Sequence, residues 1–163
     1  VIAELETETT RRKRTVRKAP VVTVVTKISA PVEDVWRVLV AFDRFAQWHP
    51  VLSLDAEPGQ VVVGAKVPGR ASRVGAGEQE VVMTIVAVEA PYRLVWEGGS
   101  PDALLGRHSF VLAAQPDGST ELTESEEFSG PAAADLMPEL GRLTQEYARY
   151  GAALQRRVER PPG

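Results

Sequence analysis

The chain has 163 residues, a net charge of −3 and no cysteine. That length suits one domain able to bury most of its apolar surface. The missing cysteines exclude a disulfide framework and a cysteine metal site. Hydrophobic residues at 44 % and charged residues at 25 % describe an ordinary globular chain. No apolar run approaches the roughly 18 residues of a bilayer span.

The first 20 residues are polar and show no secretory pattern. Glu4, Glu6 and Glu8 there face Arg11, Arg12, Lys13, Arg14, Arg17 and Lys18, so this segment is basic and the remaining body is acidic. Residues 1–20 are read as a charged tail and residues 21–160 as the folded domain. The basic cluster suits contact with an anionic surface, and a solvated leader is the plainer reading. The acidic body argues against nucleic acid as the main partner. Arginine outnumbers lysine 15 to 4, a bias of GC-rich bacterial genomes. Together with the absent cysteines and leader it points to a cytoplasmic bacterial protein.

Val21 to Ser29 is rich in β-branched residues and reads as a first strand. Pro31 then opens a helix, where its missing N–H costs nothing, and Val32, Val35, Trp36 and Leu39 follow at helical spacing. A second short helix closes at Trp48-His49-Pro50, because proline pushes its predecessor out of helical geometry. Leu52–Glu57 and Gln60–Pro68 are expected as strands, the second broken by Gly64, and Gly69–Gly77 as turn. Further strands are expected at Glu78–Val88, Tyr92–Glu97, Leu104–Ala114 and Thr120–Phe128. Leu136, Leu140, Leu143, Tyr147, Tyr150, Leu154 and Val158 then form one helical stripe. Asp135 is its expected N-cap, and the helix would run about 37 Å. Arg156, Arg157 and Arg160 favour its C-terminal end. An amphipathic helix of this length needs an apolar surface to cover, and the sheet offers the one candidate.

The run ISAPVEDVWRVLVAFDRFAQWHP resembles the opening of the SRPBCC, or START-like, superfamily. IVAVEAPYRLVWEGG is similar to its middle segment, and GRHSFVL with TELTESEEFSG to its last hairpin. The resemblance implies an α+β helix-grip fold over roughly residues 21–159: a curved antiparallel sheet wrapped around one long C-terminal helix. It also implies an apolar ligand between them. The superfamily includes polyketide cyclases, lipid-transfer domains and the birch-pollen allergen, so fold leaves function open.

The last hairpin can be registered from sequence. Placing Phe110, Leu112, Leu122 and Phe128 on one face across a five-residue turn sets Leu112 opposite Leu122, Phe110 opposite Glu124 and His108 opposite Glu126. His108, Glu124 and Glu126 are therefore the candidate catalytic trio. A carboxylate beside a histidine orients it and raises its basicity, which suits proton removal from carbon. Burial would instead raise a carboxyl pKa and make either glutamate an acid. A histidine and a glutamate satisfying each other across a sheet is the structural alternative. Trp48, Met83, Trp96, Phe110, Leu143, Tyr147 and Tyr150 are candidates for the ligand cavity, with Arg70 as a gate residue. His49, Met137 and Arg73 are weaker candidates, and most of these side chains suit a core equally well. Two histidines leave too few ligands for a dedicated transition-metal site. No cofactor is expected, since no phosphate loop, dinucleotide fingerprint or nucleophile elbow occurs.

Three functions fit: a polyketide cyclase-like protein that binds an apolar, aromatic or polyketide-like molecule and aids cyclisation or dehydration; a non-enzymatic carrier or sensor of lipid-like ligands; or an interaction module. The expected partner is a hydrophobic small molecule, with the chain as monomer or homodimer.

Overall fold

The computed structural model describes residues 18–73 and 77–160. Seven strands form one antiparallel sheet: β1 (Val21–Ile28), β2 (Leu52–Leu54), β3 (Lys66–Arg73), β4 (Gly77–Glu89), β5 (Arg93–Gly99), β6 (Leu105–Ala114) and β7 (Thr120–Ser129). Their order across the sheet is β1-β7-β6-β5-β4-β3-β2. Helix α1 (Val32–Leu39) and a 3-10 helix (Phe42–Gln47) lie between β1 and β2, and the long helix α2 (Leu140–Glu159) ends the fold. This is the curved sheet and C-terminal helix of the helix-grip architecture.

Alternation decides which face is apolar. Val22 and Ile28 of β1, Leu94 and Trp96 of β5, Phe110 and Leu112 of β6, and Leu122 of β7 are buried, while their neighbours along each strand are mostly exposed or half-exposed. All of these inward residues except Val22 form the main core with Val35 and Leu39 of α1, Phe42 and Phe45 of the 3-10 helix, and Leu154 of α2. In β4 the register shifts between Ile85 and Ala87, so Ile85 pairs with Trp96 and Val88 with Leu94. That bulge keeps Ile85 and Val88 on the inner face although their numbers differ in parity.

Helix α2 crosses closest to β1 at Gly151. A Cβ there would collide with the Thr26 hydroxyl of β1. Its C-terminal end is tied down twice. The Ser29 amide donates to Glu159 Oε1 at 2.8 Å, and Arg157 donates to Gln47 Oε1 at 2.7 Å. The N-terminal half is held by a smaller cluster of Val22, Phe128, Ala133 and Tyr147, against which Leu136, Leu140 and Leu143 pack while half-buried.

Several boundaries differ from the sequence expectation. Gly69–Arg73 is strand rather than turn, paired with Gly77–Val81 of β4. Gly69 is needed there because a Cβ would strike the Ser53 carbonyl of β2. Strand β2 stops at Leu54, and residues 60–65 are turn and loop. Gly98 and Gly99 belong to β5 instead of breaking it. Asp135 does not cap α2: Ala133–Glu139 is a 3-10 helix containing Pro138, and α2 starts at Leu140 without a side-chain cap. The expected tail lies mostly outside the described residues; from Lys18 on the chain is described, and the Pro20 carbonyl accepts from the Phe128 amide at 2.9 Å.

Gly151→Ala is expected to destabilise the fold by about 1–3 kcal/mol, because the added methyl must lift α2 from β1. Gly141→Ala, on the same helix with open space at its Cβ, should stabilise by about 0.5–1 kcal/mol through helix propensity. Urea unfolding of the two variants checks this pair; equal effects would mean that the α2–β1 approach is looser than described. Leu154→Ala should cost roughly 2–5 kcal/mol, and the half-buried Leu143 less.

Candidate functional site

Strands β5, β6 and β7 meet on the inner face around His108. The register is the one parity demands: His108 opposite Glu126, Phe110 opposite Glu124, and Leu112 opposite Leu122. On its other side His108 pairs with Trp96 of β5. The hydrogen bond, however, runs diagonally. His108 Nε2 donates to Glu124 Oε1 at 2.9 Å, while its Nδ1 stands 3.6 Å from Glu126 Oε2, beyond hydrogen-bond length. Register fixes which backbones face each other, and side-chain rotamers then choose the nearer acceptor.

Rings enclose the imidazole. Phe110 stacks on it at 4.4 Å and Tyr147 of α2 at 5.3 Å, with Trp96 tilted at 5.3 Å. His108 and Glu124 are buried, the side chains 9 % and 3 % exposed, and Glu126 16 %. Gly106 makes room for the second carboxylate: a Cβ there would collide with Glu126 Oε1. Gly98 of β5 pairs with Gly106, so two adjacent strands lack side chains beside the cluster.

Burial by itself would lower the His108 pKa. The hydrogen bond to Glu124, the approach of Glu126 and the charges of both carboxylates outweigh it and raise the pKa from 6.5 to about 9. With its pKa near 9, His108 favours the charged imidazolium form at neutral pH. His49 goes the opposite way, down to about 3, through burial first and the His108 charge second. Its Nδ1 accepts from the Leu52 amide at 3.0 Å and the Val51 amide at 3.3 Å, which puts its proton on Nε2. His49 thus ties the 3-10 helix to β2, with its ring stacked on Phe45 at 5.2 Å.

The remaining candidates separate into groups. Met83, Trp96, Phe110 and Tyr147 are buried on the inner face, and Tyr150 sits half-buried between Tyr147 at 5.1 Å and His49 at 4.6 Å. Leu143 lies half-buried one turn toward the N-terminal end of α2. Arg70 is on the outer face, exposed, with Asp55 at 3.9 Å, and the Arg73 side chain lies outside the described residues. Trp48 packs on Phe45 at 4.5 Å and lines an open cleft elsewhere on the molecule; its indole Nε1 is buried without an acceptor. Met137 is half-exposed. Sequence reasoning missed Gly98 and Gly106, whose signal was two glycines at inward positions of β-rich segments. Among the described residues no group of three His, Asp or Glu is arranged to hold a metal ion, and no helix is long and apolar enough to cross a membrane.

A curved antiparallel sheet gripping one long C-terminal helix is the fold of the SRPBCC class. The chain belongs to the polyketide cyclase/dehydrase and lipid-transport family, whose profile matches residues 19–159. DynU16, from the dynemicin biosynthetic locus, has a similar structure with a TM-score of 0.66 at 23 % identity, over 86 % of this chain and 47 % of that one. The chain thus spans about half the length of DynU16. MLL2253 from Mesorhizobium loti has a TM-score of 0.67 at 22 % identity, covering 88 % of this chain and 100 % of its own. The di-domain ARO/CYC BexL of the BE-7585A biosynthetic pathway has 0.66 at 16 %, covering 88 % and 51 %. These likenesses show the fold alone. No curated protein matches the sequence.

The two histidines give stability opposite pH limits. His108 has a folded pKa above its unfolded value, so its contribution is complete below about pH 6.5 and is lost as pH rises toward 9. His49 has a folded pKa below its unfolded value, so its contribution is present above about pH 6.5 and is lost as pH falls toward 3. Thermal melts across pH are expected to peak near neutrality. In His108→Phe the decline between pH 6.5 and 9 should disappear; its persistence would assign the decline to another group.

Proposed function

We propose that this protein binds an apolar, ring-bearing molecule of polyketide type between α2 and the inner sheet face, and that His108 acts on it as a proton donor. One observation carries the reading. His108 Nε2 is committed to Glu124 at 2.9 Å, whereas Nδ1 stands 3.6 Å from Glu126 Oε2, an ion pair longer than a hydrogen bond. A ligand carbonyl oxygen at hydrogen-bond distance from Nδ1 would give that loosely held N–H a closer acceptor than Glu126 does. Trp96, Phe110 and Tyr147 offer ring faces to the ligand.

The chemistry that follows is acid–base. Hydrogen bonding from Nδ1 polarises a ketone and acidifies the adjacent C–H. Glu126 accepts that proton, the resulting enolate carbon attacks a second carbonyl of the same molecule, and a C–C bond closes the ring. The new alkoxide takes the His108 proton, and Glu126 returns its proton to the imidazole. Loss of water from the aldol product then gives the dehydrated ring. Holding the flexible chain folded supplies the rest of the rate enhancement.

Two assays test this. Dihydroxyanthraquinone, a closed-ring mimic, should quench Trp96 emission and bind at one site. The protein should also accelerate hydrogen–deuterium exchange next to the carbonyls of an aryl diketone, and His108→Gln should slow that exchange by about 10²-fold. Quinone binding without accelerated exchange would leave a carrier of the same ligand class. Failure of both would overturn the reading.

A further inference from the structure

A cleft of about 890 Å³ opens between α1, the loop after β2, the turn joining β4 to β5 and the last turn of α2. None of the His108 cluster lines it. Its apolar wall is Trp36, Val38, Trp48, Val61, Val88 and Val158, all half-buried against the main core. Three arginines and two aspartates also line it.

The charges are not balanced pair by pair. Arg37 meets Asp34 at 2.9 Å, and Arg44 meets Asp43 at 3.6 Å. Half-buried Arg157 donates only to the neutral Gln47 amide oxygen, and no carboxylate among the described residues lies within ion-pair distance of it. Trp48 lines the same wall. An arginine fork on apolar surface with no anion of its own is matched by a ligand that brings one. The volume falls within the range of about 300–1,000 Å³ typical of small-molecule sites.

We propose that this cleft is a second ligand site, taking an amphipathic organic anion: a ring-bearing or branched apolar body against the Trp36 and Val88 wall, with a carboxylate or sulfonate on Arg157. It is built from different elements than the inner face, so it stands whether or not the His108 site binds a polyketide. A site here would sense or store an acidic molecule independently of the inner hollow.

The test uses two probes with the same kind of apolar body, anilinonaphthalene sulfonate and the neutral phenylnaphthylamine, titrated into the whole chain and followed by amide NMR. The sulfonate should shift Val61, Val88 and Ala90 and bind about tenfold more tightly there than the neutral probe. Arg157→Gln should remove that preference and Arg157→Lys should keep part of it. Val61→Glu, which adds an anion to the cleft, should abolish sulfonate binding. If Arg157→Gln melts well below the wild type, Arg44→Gln, at an exposed side chain, reads the same preference, and a reduced preference supports the proposal. Shifts confined to the inner face, such as Trp96 and Gly106, would overturn it. So would equal affinity for both probes, or a sulfonate preference that survives both arginine changes.

Discussion

The placement of a charged imidazole among packed aromatic rings is the constraint around which the inner face is organised. An unpaired buried charge costs several kcal/mol, and pairing recovers this only with good geometry. Here two carboxylates from β7 converge on one histidine of β6. Gly106 leaves room for Glu126, and Trp96, Phe110 and Tyr147 exclude water around the ring. Replacing the trio with apolar residues would be the simpler way to stabilise a core.

The scaffold explains how such a cluster is held. Antiparallel pairing fixes β5, β6 and β7 side by side, so His108, Trp96 and Glu126 share one row across the sheet. Helix α2 adds Tyr147 from above, and its position is set by the close approach of Gly151 to β1 and by the ties at Glu159 and Arg157. Arg157 therefore has two duties: it anchors the helix end to the 3-10 helix and presents a cation to the outer cleft. The fold is common to proteins of many functions, and the acid–base reading rests on the His108 geometry rather than on the fold.

Much of this was legible in the sequence. The alternation in 105–114 and 120–129 gave strand faces and register together, because a slip of one residue would have turned Phe110 and Leu122 outward. Parity could not choose between Glu124 and Glu126 as hydrogen-bond partner, since both share the inner face with His108. The raised His108 pKa follows the expected effect of a neighbouring carboxylate, and its size depends on how two carboxylates offset burial. Gly69–Arg73 looked like turn because glycine and arginine carry no strand signal, whereas pairing to β4 and the tight approach to Ser53 decided the matter. Pro138 delayed α2 in a way the Leu/Tyr stripe did not reveal. The outer cleft draws on four separated segments, and no local pattern announces such a site.

The protonation state of His108 is the most direct test of the account. Nitrogen NMR of the imidazole, followed across pH in the intact protein, separates the charged ring from the two neutral tautomers. The account predicts two protonated ring nitrogens at neutral pH and a midpoint near 9. A ring that loses its proton below pH 6.5 would contradict it, for the carboxylates would then fail to offset burial and His108 would have no proton to give.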